Sequence, residues 1–194
     1  MKKIPTLFKR DPNDRRHVIP GEVTPGCEWV LAGKGVATRK WDGTCCMLDG
    51  AGAWWARREV KPGKTPPPGW REVDRDLATG KRVGWEPIEQ SGFAKFHAEA
   101  VDVPWQTGVQ RPWTYELIGP KINGGPDGIR EHVLIRHGSP GWSVGGAESN
   151  DWRGLIEFCR THGIEGIVWW RDPGDPDCDK AKLKVRDFPE VKPA

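Results

Sequence analysis

Proline and glycine interrupt this chain too often for long helices. With 18 Pro and 25 Gly among 194 residues, the segments between breakers are short, which favours strands. "GVATRKW" (residues 35–41) and "TCCMLD" (44–49) predict two strands. Asp49-Gly50 signals a hairpin turn, with "GAWWARR" (52–58) as the returning strand. "WTYELIG" (113–119), "EHVLIRHG" (131–138), "IEGIVWW" (164–170) and "KAKLKV" (180–185) predict further strands. "SGFAKFHAEA" (91–100) predicts a short helix, and "SNDWRGLIEFCRTHG" (149–163) a better one. Ser149 or Asn150 can cap that helix. Trp152, Leu155, Ile156 and Cys159 share one face, and Gly163 can end it. Residues 1–27 read as irregular, 61–70 as a loop, and 71–90 as polar and ambiguous. Many strands and few helices, out of regular alternation, argue an α+β fold. The length fits a single domain over 1–194.

Composition narrows the function classes. Net charge is +3, with a pI near 8.6. That permits a phosphate-bearing partner without demanding one. The 12 Trp, against one Tyr and five Phe, supply core indoles and flat faces on which bases can stack. The cysteines at 27, 45, 46, 159 and 178 are odd in number and contain no Cys-x-x-Cys pair. Their spacing argues against zinc ligation and a disulfide framework, and for reduced thiols in a cytoplasm. No apolar run approaches the ~20 residues of a membrane span, and no signal peptide is visible, so no membrane partner is expected.

The informative residues are charges inside strands. Side chains two apart in a strand point the same way. If the strand persists, Lys40 and Asp42 share a face, as do Lys182 and Lys184. Alone, Lys40 reads as a surface lysine before a turn, and Asp42 as the turn-forming Asp of Asp42-Gly43. Glu116 and Glu165 sit in otherwise apolar strands, where salt-bridge or sheet-edge roles are the ordinary explanation. Together, three lysines and two carboxylates can meet a nucleotide and a metal ion. Lysines suit phosphate oxygens, and carboxylates suit magnesium.

The order of these residues resembles the covalent nucleotidyltransferases: RNA ligases, DNA ligases and mRNA capping enzymes. "KWDG" (40–43) looks like their Lys-x-Asp-Gly motif, "YELIGP" (115–120) like the third, "EGIV" (165–168) like the fourth and "KLK" (182–184) like the fifth. "KWDGTCC", "YELIGPKING", "HVLIRHG" and "EGIVWW" are most similar to a small ATP-dependent RNA ligase family. About ten residues follow the fifth motif. The resemblance therefore implies a ligase core without an OB-fold domain, and capping is the weaker reading.

The resemblance also implies roles. Lys40 would accept AMP from ATP, with Asp42, Lys182 and Lys184 assisting. Arg57 or Arg58 would contact the nucleotide, and the sequence leaves both open. Glu116 would contact the ribose or a metal water, and Glu165 the metal. The implied fold is a nucleotidyltransferase domain whose antiparallel sheets form an ATP cleft. The implied cofactors are ATP and Mg2+, or Mn2+, and the partner is a pair of RNA ends. A monomer in the cytoplasm of a bacterial or phage-infected cell, engaged in RNA repair, completes the expectation. The alternatives are ligation of DNA or hybrid ends, and a catalytically silent nucleotide- or RNA-binding module. His132 and His137 flank a strand and read as core or surface histidines before RNA contacts.

Overall fold

The structure, a computed structural model, describes residues 1–77, 79–102, 112–139, 143–144 and 151–188. Among them are eleven strands and three α-helices. The strands pair antiparallel in sheets of two, three and six, so the chain is mixed α+β. It divides into two compact units. One holds Met1–Lys3 and Asp42–His137, and the other Ile4–Trp41 and Gly138–Ala194.

The second unit begins with β1 (Phe8–Arg10) and β2 (Val18–Val23), which pair antiparallel. This corrects the expectation of an irregular 1–27. Leu7, Phe8 and Val18 are buried, and burying them against the core outweighs the weak strand pattern of a Pro-rich segment. α1 (Glu28–Leu31) follows, then β3 (Val36–Lys40). After the other unit come α3 (Trp152–Thr161), β10 (Gly166–Trp170) and β11 (Lys180–Lys184).

β10 is the middle strand of the order β11-β10-β3. All five of its residues are buried, as a run of apolar side chains covered on both faces requires. Leu155, Ile156 and Cys159 of α3 join Trp29, Ile167, Trp169 and Leu183 in one core. The helix is capped by Asp151, whose carboxylate accepts from Arg153 N–H at 3.2 Å. The sequence favoured Ser149 or Asn150, which lie outside the described residues. Gly163 takes φ +59, and Ile164 N–H then reaches back to Cys159 O at 3.0 Å. That left-handed turn ends the helix where glycine tolerates it.

The first unit is built on six strands. These are β4 (Thr44–Leu48), β5 (Trp54–Val60), β6 (Arg71–Arg75), β7 (Arg82–Pro87), β8 (Trp113–Ile118) and β9 (Val133–Arg136), in the order β6-β7-β5-β4-β8-β9. β6 and β7 resolve the ambiguous 71–90; an irregular register between Glu72 and Asp74 interrupts their pattern. The β4–β5 connection is longer than a two-residue turn. Asp49 organises it, its Oδ1 accepting from Ala51 N–H (3.0 Å) and Ala53 N–H (2.9 Å). α2 (Ala94–Val101) buries His97 and Ala100. Burial pushes the His97 imidazole down to about 4, so it is neutral at physiological pH. A core of Cys46, Leu48, Ala56, Trp113, Tyr115 and Leu117 completes the unit.

Candidate functional site

In the second unit the structure gathers Lys40, Glu165 and Lys184. Gly166 of β10 stands opposite Lys40 of β3 on one side and Lys184 of β11 on the other. Directly opposed residues leave a sheet on the same face, so both lysines rise beside a position with no side chain. A Cβ on Gly166 would collide with the Leu183 carbonyl oxygen. The strands pack too closely there for any residue but glycine.

Glu165, one residue earlier, bridges the lysines. Its Oε2 accepts from Lys40 Nζ at 2.5 Å, and its Oε1 lies 3.0 Å from Lys184 Nζ. Arg186, two residues beyond the strand, places Nη2 at 3.5 Å from the same Oε1. Three cations thus surround one carboxylate. Glu165 and the two lysines are largely buried, with side-chain exposures of 11%, 18% and 15%. Burial pushes the Glu165 carboxyl up, but Lys40 and Lys184 outweigh it and hold the group below the usual carboxylate range. Burial, then the Lys40 charge, push Lys184 down, against the pull of Glu165.

The excess positive charge suits an anion. In a partly desolvated place, like charges repel strongly unless a counter-charge arrives. Glu165 Oε1 is also buried with no aligned hydrogen-bond donor. A carboxylate oxygen with a spare lone pair fits a hard divalent cation such as magnesium. Such a cation adds to the positive excess, so this donor fits it together with polyphosphate oxygens rather than alone.

Lys182 occupies the same strand, opposite Val168, and its backbone is pinned on the other edge. Leu7 N–H donates to Lys182 O at 2.7 Å, and Lys182 N–H donates to Pro5 O at 3.0 Å. The N-terminal segment therefore braces the lysine strand. Lys182 and Lys184, two apart in β11, lie on one face.

Asp42 falls outside β3 and in the other unit. The expected shared strand face with Lys40 does not form, because the strand stops at Lys40. Asp42 is instead the first residue of a bonded turn. Its N–H donates to Asp127 Oδ2 at 3.1 Å, and its Oδ1 accepts from Asn123 Nδ2 at 3.1 Å. Asn123 also donates to Gly43 O at 3.0 Å and holds φ 49, a left-handed value that Asn tolerates. Gly43 N–H donates to Glu116 Oε1 at 3.1 Å, and a Cβ on Gly43 would strike the Leu117 carbonyl. Close approach of backbones thus requires this glycine.

Glu116 sits in β8 opposite Cys45. Its Oε2 lies 2.9 Å from His137 Nε2, while His137 Nδ1 meets Thr114 Oγ1 at 3.0 Å. His132 is separate. It pairs with Glu99 at 2.7 Å and stacks on Phe96. Of the two arginines, Arg58 is exposed and lies 3.8 Å from Glu86. Arg57 Nε is buried with no hydrogen-bond partner.

Three participants were not singled out from sequence, Arg186, Asn123 and Asp127; His137 was noted there only as a core or surface histidine or an RNA contact, not as a partner of Glu116. Arg186 had a signal, since it continues the two-residue spacing of Lys182 and Lys184. The others come from loops or strand ends distant in the chain, where spacing carries no information.

No family model matches the chain. Distant similarity links it to RNA ligase 1 of Rattus norvegicus and of Mus musculus, each 28% identical over 204 aligned positions. Each alignment covers 69% of this chain and 62% of the relative. The chain thus spans less than two thirds of the length of the curated relatives it matches. The similarity is consistent with a member of the nucleotidyltransferase and RNA ligase family.

Proposed function

We propose that this chain is an ATP-dependent RNA ligase working through a covalent lysyl–AMP intermediate. The observation that carries the reading is the placement of Lys40 and Lys184 on either side of Gly166, bridged by buried Glu165. A lysine held beside other cations is suited to meet a polyphosphate.

In the first step the Lys40 Nζ lone pair attacks the α-phosphorus of ATP. The phosphorus–nitrogen bond forms as the bond to the bridging oxygen breaks, and pyrophosphate leaves with that electron pair. Before the attack the Lys40 ammonium gives up a proton to solvent, because the Glu165 carboxylate, held below the usual carboxylate range, is a poor acceptor. Lys184 and Arg186, and Lys182 from the same strand face, balance the negative charge that builds on the phosphates. Glu165 is the residue suited to hold magnesium, which when bound screens phosphate charge and acts as a Lewis acid. Manganese would serve the same donor.

In the second step an oxygen of the RNA 5′-phosphate attacks the AMP phosphorus and frees Lys40. In the third, the RNA 3′-hydroxyl attacks the activated 5′-phosphorus, AMP departs, and a phosphodiester remains. Asp42, tied by Asn123 and Asp127, fixes the turn after Lys40. Glu116, which holds Gly43 N–H, is proposed to contact the ribose or a metal water. Arg57, with its unsatisfied Nε, is the better of the two arginines for an anion.

The test is incubation with α-labelled ATP and magnesium, followed by denaturing electrophoresis. A label on wild type that disappears in Lys40→Ala supports the reading. A label mapped to another residue, or none at all, rejects it. A panel of RNA, DNA and hybrid ends then separates an RNA ligase from a broader polynucleotide ligase.

A further inference from the structure

In the first unit, Cys45, Glu116 and His137 come together although 71 and 21 positions separate them along the chain. Cys45 and Glu116 are directly opposed across β4 and β8 and leave the sheet on one face. His137 joins them because its N–H donates to Thr114 O at 3.1 Å just after β9 ends. One donor atom from each, Sγ, a carboxylate oxygen and a ring nitrogen, lies within 4.8 Å of the other two. All three side chains are half-buried.

We propose that these residues form a three-donor binding site for a divalent transition-metal ion, with Zn2+ the best fit. The donor chemistry makes the selection. Thiolate and imidazole are soft to borderline ligands that favour zinc and its neighbours over magnesium or calcium. Three protein ligands leave a fourth, open position, as in many exchangeable zinc sites.

The surroundings prepare each donor. The Thr114 hydroxyl meets His137 Nδ1 at 3.0 Å and so directs Nε2 towards the cluster. Gly43 N–H occupies Glu116 Oε1 and leaves Oε2 facing His137. Zinc–ligand bonds of about 2.0–2.3 Å put tetrahedral donors roughly 3.5 Å apart. The three donors, all within 4.8 Å of one another, lie near that spacing. Binding displaces the Cys45 thiol proton to solvent, and the proton between His137 Nε2 and Glu116 Oε2 moves to Nδ1, where Thr114 Oγ1 accepts its hydrogen bond, so that both donors can ligate.

The site has a consequence for ligation, which rests on the function proposed above. Glu116 cannot serve a transition-metal ion and the nucleotide at once, so zinc bound there would inhibit AMP transfer. The binding test does not depend on that reading.

Co2+, the spectroscopic substitute for zinc, is titrated into the reduced, metal-free full chain. The expected result is a near-ultraviolet thiolate-to-cobalt charge-transfer band with tetrahedral visible bands, saturating at one equivalent and bleached by Zn2+. Cys45→Ser removes the charge-transfer band. Cys178→Ser, which changes the other half-exposed thiol, leaves it intact. Thr114→Val, which keeps side-chain shape, weakens Co2+ binding by about 10- to 100-fold. The proposal is overturned if wild type gives no thiolate band, if the band survives Cys45→Ser, or if Cys178→Ser abolishes it. A protein that binds Co2+ in this way but never takes up labelled AMP would keep the metal site and lose the ligase.

Discussion

Lys40 and Lys184 stand on neighbouring strands opposite the same residue, Gly166, and share the carboxylate of Glu165 between them. Two ammonium groups are brought together where neither is well solvated. One carboxylate cannot neutralise both together with Arg186. The arrangement stores an electrostatic demand that an anionic ligand would meet.

The first prediction concerns that demand at its source. Lys184→Met removes one of the cations proposed to face phosphate and leaves Lys40, the proposed nucleophile, in place. AMP transfer from ATP should fall by ~100-fold or more, the scale of removing a single charge-stabilising group. Given pre-adenylylated RNA, the variant should recover part of its sealing activity, because the ATP step is bypassed. No recovery would place Lys184 in RNA binding or folding.

The second concerns pH. The folded Glu165 carboxyl is held below its unfolded value, despite the opposing effect of burial. Its contribution to stability is therefore fully present above the ordinary carboxylate value of about 4.3. It is lost as pH falls through the depressed folded value. Wild type should be more stable than Glu165→Gln at neutral pH, and the two should converge in acid. Urea unfolding from pH 7 down to pH 3 measures the difference. A gap independent of pH would mean that Glu165 acts through packing.

The third is steric. Gly166→Ala would force a methyl group against the Leu183 carbonyl, parting β10 from β11. A loss of about 1–3 kcal/mol is expected from overpacking, read as a lower urea midpoint. AMP labelling should fall further than stability alone explains, because the separation of Lys40 and Lys184 changes with it.

The fourth separates the arginines. Arg57→Ala should reduce AMP transfer or RNA-end binding by at least about 10-fold, a loss of roughly 1.4 kcal/mol. Arg58→Ala, removing an exposed side chain with a long contact to Glu86, should stay within twofold of wild type. Equal losses would contradict the assignment drawn from the buried Arg57 Nε.

What sequence alone determined was the set of short elements and the identity of the charged residues within them. Frequent Pro and Gly limit helix length, short apolar runs mark β8 and β10, and alternation marks β11 because side-chain direction repeats every two residues. Lys40, Glu165, Lys182 and Lys184 stood out because each is a charge within a segment patterned for burial. Local periodicity is blind to partners distant in the chain. It therefore missed β1 and β2, whose strand character comes from packing. It also aligned Asp42 with Lys40, where the strand in fact ends. Only the tertiary structure decided that Glu165 meets Lys40, 125 positions away, and that Cys45, Glu116 and His137 form one cluster. Strand register sets both. Pairing energies come from whole faces buried across a sheet, and a shift of one residue would send every one of these side chains to the opposite face.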